Sequence, residues 1–137
     1  MKTITLAEAP DVVARHIKAI NDFDLDAIMA TFTDDAYVND NSREIRGTAA
    51  IRAFMAKEFV GDSVTVEPVE VLDHHGDIIV RGRFDGTYDK TSLPEVLIMS
   101  TYFSVRDGRI VSLAVIFNQP SPYDQDAGEG DQTGTVK

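Results

Sequence analysis

Apolar residues recur with two different periods along this chain, and the change of period divides it. Val12, Val13, Ile17 and Ile20 stand three or four apart after Pro10 and Asp11, which suit a first helical turn, so residues 10 to 21 are predicted to form an amphipathic helix. His16 lies four after Val12, three after Val13 and four before Ile20, among core-facing neighbours rather than with Arg15 and Lys18. Asn21-Asp22-Phe23 breaks the pattern, and Asp24 can cap a second short helix carrying Leu25, Ile28, Met29 and Phe32 on one face. Asp34-Asp35 is expected to end that helix, after which Ala36 to Asp40 alternates as a short strand does, with Ala36, Val38 and Asp40 on one face. Asn41 to Glu44 is turn chemistry. Gly47-Thr48 then offers a third helix start, with Thr48 as cap, and Ile51, Phe54, Met55 and Phe59 form a wide apolar stripe before Gly61 closes it.

From Val64 the period becomes two. Residues 64 to 72 read as a strand in which Pro68 implies a bulge or an edge position, His74 to Asp77 as a hairpin turn, and Ile78 to Tyr88 as the next strand. Glu95 to Val105 and Arg109 to Asn118 follow, joined by Arg106-Asp107-Gly108, whose Asp-Gly pair is a strong hairpin signal. Three helices followed by a meander of long strands predict an α+β domain, with helices covering one face of a strongly curved antiparallel sheet. The domain is expected to span residues 1 to 120, and residues 121 to 137, acidic and glycine-rich, to form a mobile tail.

Composition narrows the function classes. With 137 residues and 43% hydrophobic content, the chain can build one core and not two. A formal charge of -10 argues against nucleic acid, whose phosphates are neutralised by Lys and Arg, and against an anionic membrane surface. The absence of cysteine excludes disulfides and thiolate metal sites. No segment approaches the ~20 apolar residues needed to span a bilayer, and a soluble cytoplasmic protein is the default expectation.

The order of elements, together with Asp24-Leu25-Asp26, Asp34-Asp35-Ala36, Val38-Asn39-Asp40, Gly47-Thr48-Ala49-Ala50-Ile51-Arg52 with Phe54, and Gly108-Arg109-Ile110-Val111-Ser112, resembles the nuclear transport factor 2-like superfamily, in particular its SnoaL-like and ketosteroid isomerase branches. The resemblance covers roughly residues 10 to 118. It implies a cone, a bent sheet wrapped around three helices with a deep apolar pocket, commonly a homodimer through the sheet, and no cofactor. The superfamily hosts isomerases, dehydratases, epoxide hydrolases, cyclases and proteins without catalysis, so the fold does not name a reaction. In the isomerase branch a carboxylate at the end of the first long strand shuttles a proton while two donors stabilise the dienolate oxygen. Asp40 matches the base. The tyrosine expected on the first helix is His16 here, and the carboxylic acid expected on the fourth strand falls at Thr101.

Two catalytic candidates follow. Asp40 shares a strand face with apolar Ala36 and Val38, and a carboxylate in an apolar pocket becomes a usable base; as a turn or surface group it would instead pair with Arg43 or Arg46. His16 is either a satisfied core histidine or, as the resemblance implies, a hydrogen-bond donor to a substrate oxygen or an electrostatic partner of Asp40. The pocket wall is expected from Phe54, Met55, Val80, Phe84, Tyr88, Met99, Thr101, Leu113, Val115 and Phe117, binding a small apolar molecule. An epoxide-hydrolase-like alternative uses Arg83 and Asp85, but its second aspartate falls at Val115 and strand alternation turns both charges outward. His74-His75 reads as an exposed turn, and no metal site is expected. The leading expectation is proton transfer α to a carbonyl; the alternative from another class is a non-catalytic ligand-binding or dimerisation module.

Overall fold

The apolar stripe of the first helix is buried in full. In the computed structural model, which describes residues 1–117, helix α1 (Asp11–Asn21) turns Val12, Val13, His16, Ile17, Ala19 and Ile20 to the core. Its last residue is clamped to the sheet, because the Asn21 amide donates to the Val66 carbonyl at 3.0 Å and accepts from the Val66 N–H at 2.7 Å. Helix α2 (Leu25–Ala30) starts as expected, with the Asp24 carboxylate accepting from the Ala27 N–H at 3.1 Å. It ends at Ala30, however, and Asp34 and Asp35 do not terminate it. They lie inside a strand that begins at Phe32, with both carboxylates exposed.

That strand is β2 (Phe32–Asp40), and it runs into β3 (Arg43–Arg46) through a turn at Asn41 and Ser42, both at positive φ. Helix α3 (Thr48–Phe54) follows; its N-cap is Gly47, and Thr48 sits in the first turn, where its hydroxyl donates to the Asp34 carbonyl at 3.2 Å rather than capping. Past Phe54 the helix widens into a π-helical turn over Met55–Val60. Gly61 closes it, at a point where a Cβ would stand 2.4 Å from the Lys57 carbonyl oxygen.

The remaining strands are β4 (Thr65–His74), β5 (Asp77–Asp85), β6 (Leu97–Arg106) and β7 (Arg109–Phe117), with a short β1 (Lys2–Ile4) at one edge. They form one open sheet of seven strands in the order β1-β4-β5-β6-β7-β2-β3. Every pairing is antiparallel except β2 with β7, so the sheet is mixed. The α+β class is as predicted, with the three helices packed on one face of a curved, unclosed sheet. The Asp107-Gly108 and His75-Gly76 hairpins both carry the positive φ angles their sequences call for. Pro68 marks a bulge: the β4–β5 register shifts between Pro68 and Glu70, and β1 covers only Val71 to Asp73, so Pro68 has no outer partner that needs its missing N–H. The expectations for a tail at 121–137, for the end of the last strand at Asn118 and for a domain boundary at 120 lie outside the described residues.

Candidate active site

The parallel pairing of β2 with β7 places the site. It sets Asp40 opposite Val115, and the chain continues the ladder past the strand end, where the Asn41 N–H donates to the Val115 carbonyl at 2.9 Å and the Asn41 side-chain oxygen accepts from the Phe117 N–H at 2.7 Å. Strand alternation then points Val80 and Phe84 of β5, Leu97, Met99, Thr101 and Phe103 of β6, and Leu113, Val115 and Phe117 of β7 toward the helices.

Between sheet and helices lie two adjoining cavities that share Phe59, Phe84 and Val115. The outer one is a cleft of about 520 Å³, walled by Phe54, Phe59, Phe84, Tyr88, Met99 and Phe117 among others, with the polar groups Asp40, Asn41, Glu58 and Asp62. The inner one is a narrow space of about 20 Å³, lined by His16, Met55, Val80, Thr101, Phe103 and Leu113. It is wide enough for one water-sized group. The expected wall residues are thus divided. Phe54, Tyr88, Met99 and Phe117 face the outer cleft, Met55, Val80, Thr101 and Leu113 the inner cavity, and Phe84 and Val115 both.

Asp40 and His16 do not meet. Asp40 lines the cleft and His16 the inner cavity, and no hydrogen bond joins them, so the His–Asp pair weighed from the sequence is not formed. The Asp40 side chain is only 18% exposed, and its carboxylate is bridged by the Arg43 guanidinium. Arg43 also forks onto Glu58, with Nη2 and Nη1 at 2.7 and 2.9 Å from the two carboxylate oxygens, and lies 5.5 Å over the Phe54 ring. The Asn41 amide donates to the other Asp40 oxygen at 3.3 Å. Arg46 pairs instead with Glu44 and stacks on Tyr37. Hydrogen bonds from Arg43 hold the Glu58 carboxyl below the usual carboxylate range against the opposing effect of burial, and the two carboxylates in turn hold Arg43 charged.

His16 is 4% exposed and neutral, because burial pushes its imidazole down to about 4. Its Nδ1 lies 2.9 Å from the Thr31 hydroxyl, and Phe32 and Phe103 meet its ring edge-on at 5.5 and 5.6 Å. At the position of the isomerase pattern's carboxylic acid stands Thr101, which is buried and lines the inner cavity.

Arg83 and Asp85 point away from both cavities, Arg83 toward Glu67 at 3.7 Å and Asp85 toward Lys90 at 2.8 Å. His74 and His75 meet edge-on in their exposed hairpin, and among the described residues no group of three or more His, Cys, Asp or Glu side chains could hold a metal ion. No helix of the described residues is long and apolar enough to cross a membrane.

Sequence reasoning missed Glu58, Asn41, Asp62 and Thr31. The first carried a usable signal: Glu58 follows Phe54 by four residues and so shares its helix face. The π-helical turn, a feature often found at functional sites, lies where Glu58 and Phe59 reach the cleft together.

Comparison with known proteins agrees with this fold. A crystal structure of a Sinorhizobium meliloti protein described as a polyketide cyclase is 26% identical, with 82% of this chain and 99% of that chain covered and a TM-score of 0.72. SalBIII, an epoxide hydrolase/cyclase-like enzyme of pyran ring formation in the polyether salinomycin, is 24% identical over 79% of this chain and 88% of its own, with a TM-score of 0.69. A Catenulispora acidiphila protein of ketosteroid isomerase-like fold, crystallised with trimethylamine, is 17% identical over 80% and 86%, with a TM-score of 0.68. The last two likenesses are of fold alone. The model of the SnoaL-like domain matches residues 13–113, and with that span matched the chain belongs to the SnoaL-like family of the nuclear transport factor 2-like superfamily.

Proposed function

We propose that this chain is a small-molecule enzyme that binds a mostly apolar carbonyl compound in the outer cleft and uses Asp40 to move a proton α to the carbonyl. The observation that carries this reading is the Asp40 carboxylate at a strand end on the wall of a cleft of about 520 Å³, a size suited to a small organic ligand, that is mainly apolar and also holds Asn41, Glu58 and Asp62. Asp40 would take the α proton, leaving an enolate that is reprotonated elsewhere, expels a β leaving group or attacks a second carbonyl. These three outcomes are isomerisation, dehydration and cyclisation. The Asn41 amide lines the cleft beside Asp40, so it is the donor that would stabilise charge developing on the substrate oxygen. Relatives described as a polyketide cyclase and a cyclase-like enzyme, and one crystallised with trimethylamine, support a small-molecule site.

The test is Asp40→Asn, assayed over enones, steroids, small polyketides and epoxides. Loss of roughly 10²–10⁴-fold in kcat with an unchanged Tm is the expected result; unchanged kinetics would reject the assignment. A non-catalytic binding module is the second reading, and the Arg43 bridge that occupies Asp40 favours it. It predicts binding without turnover for every member of the panel. The reading includes a homodimer through the outer sheet face, where Tyr102 and Ile116 are 39% and 46% exposed; sedimentation equilibrium would show a monomer if this is wrong.

A further inference from the structure

Thr31 decides which nitrogen of His16 carries the proton. Its hydroxyl oxygen lies 2.6 Å from the Ile28 carbonyl oxygen and 2.9 Å from His16 Nδ1. Two oxygens at that separation need a proton between them, and a carbonyl can only accept. The single hydroxyl proton is therefore spent on Ile28, so Thr31 accepts from His16, and Nδ1 bears the imidazole proton. Nε2 is left as a lone pair, with no hydrogen-bond partner among the described residues, on a ring that lines the inner cavity. No carboxylate lines that cavity; its other polar group is the Thr101 hydroxyl, which can donate or accept.

We infer that the inner cavity is an acceptor site: it takes one O–H group at the inner end of a cleft-bound ligand, which donates to His16 Nε2 beside the Thr101 hydroxyl. The preferred ligand is then an apolar molecule with a hydroxyl, enol or phenol at that end. A carbonyl there would place one acceptor against another. This is the reverse of the donor role that the family resemblance implied for His16, and it makes His16 a specificity-determining residue and Thr31 the positioning residue that fixes its tautomer. The inference rests on the reading of the cleft as a small-molecule site, and the inner volume agrees, since about 20 Å³ admits one water-sized group and the two cavities share Phe59, Phe84 and Val115 as walls.

Two measurements on the full chain test it. A long-range proton–nitrogen correlation spectrum of ¹⁵N-labelled protein at neutral pH should show His16 protonated at Nδ1 and bare at Nε2; protonation at Nε2 overturns the inference without any ligand. Calorimetric titration with matched probes, cyclohexanol against cyclohexanone and para-cresol against para-xylene, should show the hydroxyl member binding about tenfold more tightly, the difference made by one hydrogen bond to a buried group. Thr31→Val removes the Nδ1 acceptor, frees the proton to move to Nε2, and should abolish the preference for cyclohexanol over cyclohexanone, since an Nε2–H donates to either oxygen. A merely structural role for Thr31 would weaken both alike. Equal binding of matched probes overturns this inference and leaves the cleft reading standing, whereas failure of every probe to bind overturns both. Loss of turnover in Asp40→Asn with the hydroxyl preference intact would show that the two ends act separately.

Discussion

The mouth and the inner end of the cavity handle polar groups in opposite ways. At the mouth, Asp40, Arg43 and Glu58 are charged and mutually paired, and Arg43 stays 55% exposed, so water shares the cost of holding three ions together. At the inner end, His16 and Thr31 are buried and neutral, and they meet the same demand by hydrogen bonding one acceptor to one donor. The difference assigns different work. A charged mouth can transfer protons and pair with developing charge, while a buried neutral floor can discriminate between a donor and an acceptor on the ligand.

The largest test of this contrast is mechanical. Phe103 is 1% exposed and holds the His16 ring edge-on, so Phe103→Ala should destabilise the fold by about 3–5 kcal/mol and widen the inner cavity. Denaturant unfolding measures the loss. Phe117→Ala, on the half-buried wall of the mouth, should cost less in the same experiment. Equal losses would mean that the floor is no more tightly packed than the rim.

Acid should separate the ends next. Burial holds the folded His16 near 4, whereas the unfolded chain takes up its proton near the ordinary 6.5. Between those values the unfolded state binds more protons, so stability is complete above about pH 6.5 and falls by on the order of 3 kcal/mol toward pH 4. His16→Phe should lack this slope. Glu58, held low by Arg43, acts in the same direction but lower, its contribution being lost only as pH drops from the ordinary carboxylate value of 4.5 through its depressed one. Unfolding free energies measured from pH 7 to pH 4 should therefore lose their slope in the His16 variant and keep it when Arg43 is replaced.

How much of this was legible beforehand depends on how local the cause is. The burial of α1, the Asp24 cap, the bulge at Pro68 and the Asp107-Gly108 hairpin follow from residues within a few positions of one another, and the sequence shows them. β3 does not show, because Glu44 and Arg46 make no apolar alternation and the strand exists only by pairing with β2. The early start of β2 at Phe32 is hidden for a similar reason: its first contact is with Ile110, far along the chain. At the site, alternation along the strands was enough to name the apolar walls. The Arg43–Glu58 fork spans fifteen positions, and the tautomer of His16 depends on Thr31, also fifteen away, so neither could be read from spacing.

The Arg43 bridge itself should matter little to stability. Exposed ion pairs contribute roughly 0–1 kcal/mol and are screened by salt, so Arg43→Met should lower Tm only slightly, and less at high salt than at low. Its sharper signature is electrostatic: without the guanidinium, the Glu58 carboxyl should rise toward its ordinary range, which a carboxylate NMR titration reads directly. If Tm falls steeply instead, the mouth is a structural clasp and its contrast with the floor loses its functional meaning.

The smallest expected effect belongs to the outward pair. Arg83 reaches only Glu67, at 3.7 Å, and Asp85 is tied to Lys90 on the side of β5 away from the cavities. Arg83→Ala should leave turnover, the hydroxyl preference and Tm where they are, because no part of its side chain touches either cavity and a surface pair at that distance contributes little. The measurement is a side-by-side assay with Asp40→Asn on the same substrates, epoxides included. A selective loss of epoxide opening in Arg83→Ala would move the chemistry to the outer face of the sheet, and the mouth and floor would then be walls of a pocket that binds without reacting.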